Sequence, residues 1–377
     1  MGESTDTEAN QTDDTSDRIV NRRGVLTLLG VPSVLGSVAY LRQLGGRDDR
    51  SVPNGLEYAL PSRVEWVVET GGSSPTVADG TVYVMDSQTI HAFATEDGTE
   101  RWAVDPTGDE YASYLIDPIV ADGVVYAFPR EKPLYALDAT DGSERWTADL
   151  GDVAAGQPTV AGDTVYFGCD ETMYALDPAD GSTRWSVEIA GFVGGSPVVD
   201  DDTVYFAGDE TVYGLDTADG TERWTTAVDG SRLRVSAQAG DTLYARGWDG
   251  IYALDGADGT ERWRVDFPTS LIFPGGLAVA DDTVYASVRG GPLYEIDSDG
   301  NAWPYFQVEN GMATSPVVAD RTVYVGSNVG DSGGRLHALD TAEGTERWSF
   351  PVGLSSAPAV ADGTVYASGD SLYALET

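Results

Sequence analysis

An all-β, eight-bladed propeller of four-stranded antiparallel blades is the fold the sequence predicts, and three observations predict it. Tryptophans recur at Trp66, Trp102, Trp146, Trp185, Trp224, Trp263, Trp303 and Trp348, at intervals of 36 to 45 residues, with only Trp248 outside the series. A second series, the Tyr of a Val-Tyr or Leu-Tyr pair, falls at Tyr83, Tyr126, Tyr166, Tyr205, Tyr244, Tyr285, Tyr324 and Tyr366, once per unit. The 319 residues from Ala59 to Thr377, shared among eight units, give about 40 each, the length of one blade.

The unit Gln157 to Trp185 carries the mechanics. Pro158-Thr159-Val160 is a short strand, Ala161-Gly162-Asp163 a turn, and Thr164 to Phe167 a second strand. Gly168 to Glu171 then turns the chain, Thr172 to Leu176 makes a third strand, Asp177 to Gly181 a tight connection, and Thr183 to Ser186 a fourth. β-Branched and aromatic residues in period-two alternation between Asp-Gly turns are the signal of an antiparallel meander. The last unit stops after its third strand, Ser371 to Leu375, whereas Arg63 to Val67 is a fourth strand without a unit of its own. The N-terminal strand is therefore expected to complete the C-terminal blade and close the ring, which leaves only short, protected edges.

Ahead of the repeats, residues 1–41 read as an address. A polar, acidic stretch leads to Arg22-Arg23, followed at once by the uncharged run Gly24 to Leu41. This resembles a twin-arginine export signal, cleaved or retained as an N-terminal anchor. The run falls short of the roughly 20 residues of a membrane-spanning helix and contains Pro32. Residues 42–58 are a linker, and 59–377 are the propeller.

The chain has 22 basic against 62 acidic residues, a formal net charge of −40, which argues against nucleic acid as the main partner. Lys132 is the only lysine, and this preference for arginine in a very acidic chain reads as adaptation to molar salt, of the halophilic archaeal type. Its 41% hydrophobic content separates it from disordered acidic tails. The lone Cys169 allows no intrachain disulfide.

The stretch Ala136-Leu137-Asp138-Ala139-Thr140-Asp141-Gly142-Ser143-Glu144-Arg145-Trp146 resembles the tryptophan-docking motif of quinoprotein-type (PQQ-like) repeat propellers, and its frame returns in five further units. Its physics calls for an indole on an outer strand packed on a neighbouring blade, where a small Ala or Gly leaves room. The sixth unit departs, with Glu295 at the small position and two fewer residues before Trp303. The resemblance implies a propeller closer to the non-catalytic outer-membrane-assembly branch than to the quinone-dependent alcohol dehydrogenases. Those enzymes carry adjacent cysteines over the cofactor and a calcium-holding Glu, Asn and Asp set. Cys169 offers no such pair, so no enzyme activity and no cofactor are expected, with PQQ and calcium belonging to the alternative reading.

His91 and His337 occupy the place of a repeat tyrosine and read as structural, and the Asp-Gly hairpins are too tight for a calcium loop. Six arginines precede repeat tryptophans and belong to the blade. Others do not repeat: Arg130 and Lys132, Arg246 with Trp248, Arg289, and Arg335 between second and third strands, and Arg232 and Arg234 in the connection into unit five. In a meander these loops share one face, opposite the Asp-Gly turns. That rim, with the irregular aromatics Tyr111, Tyr114, Phe192, Phe273, Tyr305 and Phe306, is the expected binding surface for a protein or acidic cell-surface ligand. Salt-bridged spacing of acidic loops is the competing account of the same arginines. A monomer, touching a membrane only through the N-terminal anchor, completes the expectation.

Overall fold

The computed structural model describes residues 19–21 and 62–377, apart from 87, 109–114, 130–132, 152, 230–231, 268–275, 289, 309–310, 328–333 and 355. Eight antiparallel sheets succeed one another around a ring, each in meander order. Blade I runs Thr76–Ala78, Thr81–Asp86, Thr89–Ala94 and Glu100–Val104. Blades II, III and IV span residues 115–148, 159–188 and 193–227, blade V runs Arg234–Ala239, Thr242–Arg246, Gly250–Asp255 and Glu261–Asp266, blades VI and VII span 277–306 and 317–351, and blade VIII joins 359–376 to 64–68. The first strands of successive blades touch each other and form the hub, including Thr76–Ala78 of blade I against Ala359–Ala361 of blade VIII. The residues expected to form an export signal lie outside the described residues, except that Ile19–Asn21 pairs along Trp66–Val68 at the outer edge of blade VIII.

Ring closure is as expected. Val64–Val68 is the fourth strand of blade VIII, with Val64 opposite Leu375, Trp66 opposite Ala374 and Val68 opposite Leu372. Arg63 fastens the junction: its carbonyl accepts from the Glu376 amide at 2.9 Å, and its guanidinium donates to the carbonyls of Glu376 and Thr377 at 3.2 Å each.

The docking tryptophans act between blades, with one difference from expectation. The small residue of the motif lies in the tryptophan's own blade, directly across the strand pair, as with Ala136 opposite Trp146 and Gly214 opposite Trp224. The next blade supplies a turn carbonyl and the turn glycine. Trp224 donates to the Gly256 carbonyl at 3.0 Å, and a Cβ on Gly259 would lie 2.4 Å from its indole. Trp66, Trp102, Trp146, Trp185 and Trp263 each donate in the same way to Thr95, Ala139, Pro178, Thr217 and Ser298. Gly142, at φ 73°, has the left-handed backbone that such a turn needs.

Blade VI is the exception the motif foretold. Glu295 stands opposite Trp303, whose indole is half exposed. Tyr305, two residues on, takes over the docking: it packs on Tyr285 at 5.3 Å between ring centroids and donates to the Asp340 carbonyl of blade VII. Phe306 packs on His337. Tyr305 and Phe306 therefore belong to the blade VI–VII interface and not to the rim.

Candidate functional site: a cationic and aromatic face

The Asp-Gly face is electrostatically closed on itself. In five of the six motifs the Arg reaches back seven residues to the Asp that opens the turn, as Arg145 to Asp138 at 2.8 Å and Arg223 to Asp216 at 2.7 Å, whereas Arg101, with Ala94 at that place, donates to the Thr81 hydroxyl. Arg184 and Arg262 each hold a second carboxylate as well, Asp163 at 3.0 Å and Asp241 at 2.8 Å. Arginine first, then the turn amides, holds Asp138, Asp177, Asp216, Asp255 and Asp340 below the usual carboxylate range. A cavity of about 520 Å³ opens here between blades III and IV, but its one arginine, Arg184, is already committed to two aspartates.

The opposite face differs. Four large hydrophobic side chains are exposed among the described residues, Val153, Phe192, Trp248 and Trp303, and the first three lie on second-to-third turns or blade connections of blades III to V. Beside them stand Arg232, Arg234 and Arg246. None has a carboxylate within ion-pair distance among the described residues, so the salt-bridged-spacer account fits the motif arginines and not these three. Arg232, held at φ 53°, lays its guanidinium over the Trp248 ring at 4.6 Å. It also lines a hollow of about 400 Å³ against the second-to-third turn of blade IV.

Arg234 and Arg246 lie on strands and not in the loops expected of them, Arg234 exposed and Arg246 half-buried. Arg234 is the first residue of the hub strand of blade V and Arg246 the last residue of the adjacent strand, where they are direct register partners. The Arg234 stem runs along Gly195, whose absent side chain gives it room: a Cβ there would lie 3.2 Å from it. Burial, then the charge of Arg234, pushes Arg246 down to about 10, and burial with the charge of Arg232 lowers Arg234. The Arg246 Nε is buried with no hydrogen-bond partner among the described residues. Arg130, Lys132 and Arg289, with Tyr111, Tyr114 and Phe273, lie outside the described residues. Arg335 is not a loop residue: it opens the third strand of blade VII and donates to Ser349 at 2.8 Å.

Two polar clusters were not legible from residue order. In blade VII, His337 Nε2 meets Ser327 Oγ at 2.7 Å and its Nδ1 meets Glu346 Oε2 at 2.8 Å. The spacing imitates a nucleophile-base-acid relay, but Ser327 is fully buried, so the three side chains staple adjacent strands. At the hub, the Ser74 and Gln157 side of the ring is tied to Asp117, whose carboxyl accepts from the Ser74 amide and is pushed up by burial. His91, paired with Glu100 at 2.9 Å, is structural in the same sense as His337.

Comparison with known proteins agrees with this architecture. A segment of 109 residues is 31% identical to the serine/threonine-protein kinase AfsK of Streptomyces griseus, covering 25% of this chain and 13% of that one, so the chain spans only a small part of the kinase. Among solved structures, BamB from Moraxella catarrhalis aligns over 81% of this chain and 94% of its own, with a TM-score of 0.65 at 20% identity. Quinohemoprotein alcohol dehydrogenase from Comamonas testosteroni aligns over 81% and 74%, with a TM-score of 0.62 at 16% identity. At such identities the likeness is one of fold. The family model described as outer membrane protein assembly factor BamB matches residues 59–192, 130–250 and 247–377, the whole of the repeat region, and the chain belongs to that family.

Proposed function

We propose that this chain is an exported, non-catalytic binding propeller, a scaffold outside the cytoplasm that captures an acidic protein partner on the face formed by the blade connections and second-to-third turns. The observation that carries the reading is the meeting, on blades III to V, of three exposed apolar side chains with three arginines that have no carboxylate partner among the described residues. A surface that mixes an aromatic anchor with arginine is the composition of binding centres. Membership of the BamB family supports a scaffold role. The Arg22-Arg23 pair before an uncharged run supports export.

Quinone chemistry is not part of this reading. Cys169 is single and buried, and the described residues gather no set of three His, Cys, Asp or Glu side chains suited to a metal ion. The adjacent-cysteine pair that the dehydrogenase resemblance calls for has no match in a chain with one cysteine, which supports the non-catalytic reading. Reconstitution with PQQ and calcium, followed by dye reduction with alcohols and sugars, is expected to give no substrate-dependent turnover. Turnover would overturn the non-catalytic reading.

The partner face is tested by a photo-crosslinking residue placed at Phe192 or at Asp219 on the Asp-Gly face, with crosslinking at native salt. Adducts are expected from position 192, and Trp248→Ser is expected to reduce them several-fold. Adducts only from position 219 would refute the assignment of the face.

A further inference from the structure

The pairing of Arg234 with Arg246 is costly as it stands. Residues directly opposite in an antiparallel pair bring their Cβ atoms to about 5 Å, and like charges there are destabilising. Sister blades avoid the problem at the same register position: blade II pairs Ile116 with Phe128, and blade IV pairs Gly194 with Ala207. Blade V alone of these sets two arginines directly opposite each other, with the charge of Arg232 acting on Arg234. The fold requires none of this, because Ala or Phe satisfies the same site in its neighbours. The arrangement also leaves Arg246 Nε buried and without a partner among the described residues, and an unmet buried donor calls for an explanation.

We propose that Arg234 and Arg246 form a preorganised seat for one carboxylate at the hub end of blade V, with Arg232 and Trp248 as its outer wall. An anion between the two guanidinium groups turns their repulsion into attraction and meets the orphaned Nε–H. The planar fork of arginine favours a carboxylate held by two parallel hydrogen bonds. Gly195 keeps the approach open, since a Cβ there would press on the Arg234 stem. The seat deepens the reading of an acidic partner and rests on it for its biological meaning, but not for its chemistry.

The test titrates the full chain at constant ionic strength with acetate, inorganic phosphate, and an acidic peptide with either a free or an amidated C-terminus, reading calorimetric heat and the part of the tryptophan fluorescence change that Trp248→Phe abolishes. Saturable binding of a carboxylate at one site per chain is expected, weakened at least tenfold in Arg246→Met and in Arg234→Met. Both variants should melt no lower than the parent without the probe, because a repulsive pair has been removed, and that measurement separates loss of the seat from loss of the fold. A free-terminus peptide binding more tightly than its amide identifies a C-terminal carboxylate as the source. Equal binding of the two identifies a side-chain carboxylate, and binding of acetate alone identifies a small molecule. Preference for phosphate, absence of saturation, or equal binding by the variants would overturn the proposal. If acetate binds but crosslinking at Phe192 finds no partner, the scaffold reading falls and the seat stands. The converse result leaves the scaffold and removes the seat.

Discussion

Trp224 and Trp303 occupy corresponding strands of the same ring and allow docking to be tested inside one molecule. Trp224 is nine-tenths buried, donates to the Gly256 carbonyl at 3.0 Å and lies against Gly259 of the next blade. Removing a buried indole costs about 3–5 kcal/mol, and the stranded carbonyl adds about 1 kcal/mol. With about 2.1 cal/mol/K per residue of unfolding entropy, a domain of this size shifts by roughly 1.5 °C per kcal/mol, so Trp224→Ala should lower the melting temperature by about 6–9 °C. Trp303 is 51% exposed and its docking role has passed to Tyr305, so Trp303→Ala should cost no more than about 1 kcal/mol. Calorimetry of the two variants and of Tyr305→Ala provides the comparison. If Trp303→Ala costs as much as Trp224→Ala, or Tyr305→Ala costs nothing, the account of blade VI is wrong.

Deletion through Val68 removes the strand opposite Leu372 to Leu375 and should open the ring, seen as a lower melting temperature or self-association in sedimentation; a monomer that melts like the parent would refute the closure. Acid should act in two stages. Burial lowers His337 from its usual 6.5, so its neutral form stabilises the fold above about pH 6.5, and that contribution is lost as pH falls through the lowered value. His337→Gln should flatten the thermal stability curve as pH falls below about 6.5. The turn aspartates, held low by arginine and amides, stabilise above about pH 3.9 and lose that contribution only as pH falls further, so a second decline should begin below about pH 4. With a net charge of −40, melting temperature should also fall as KCl is diluted from 1 M to about 0.1 M, where the Debye length grows from about 3 to about 10 Å; a flat or rising profile would contradict the adaptation to salt.

Repetition made the blades readable before any coordinates, because every unit must solve the same packing problem with the same residues at the same spacing. Even the odd unit announced itself, since Glu295 cannot fill the place of an alanine opposite an indole. What spacing could not give was the substitute, Tyr305, which depends on how far a shortened turn shifts the register of its strand. Which turns share the face opposite the Asp-Gly hairpins followed from meander topology alone. The pairing of Arg234 with Arg246 did not, because a bulge between Val235 and Ala237 sets their register and no residue type marks it. The relay of Ser327, His337 and Glu346 was hidden for the same reason: its members sit on three strands and become neighbours only through pairing.

The closing strand imposes a timetable. Val64 meets Leu375 across 311 residues of sequence. At about 5–20 residues per second of synthesis, that partner leaves the ribosome roughly 15–60 s after Val64 does. During that interval Trp66 has no Ala374 to lie against, and seven blades can assemble while the circle stays open. The hydrogen bonds from Arg63 to the Glu376 and Thr377 carbonyls can form only at that late point. A message cut short before Leu375 leaves an apolar strand unpaired, an open edge of the kind on which proteases, chaperones and aggregation act.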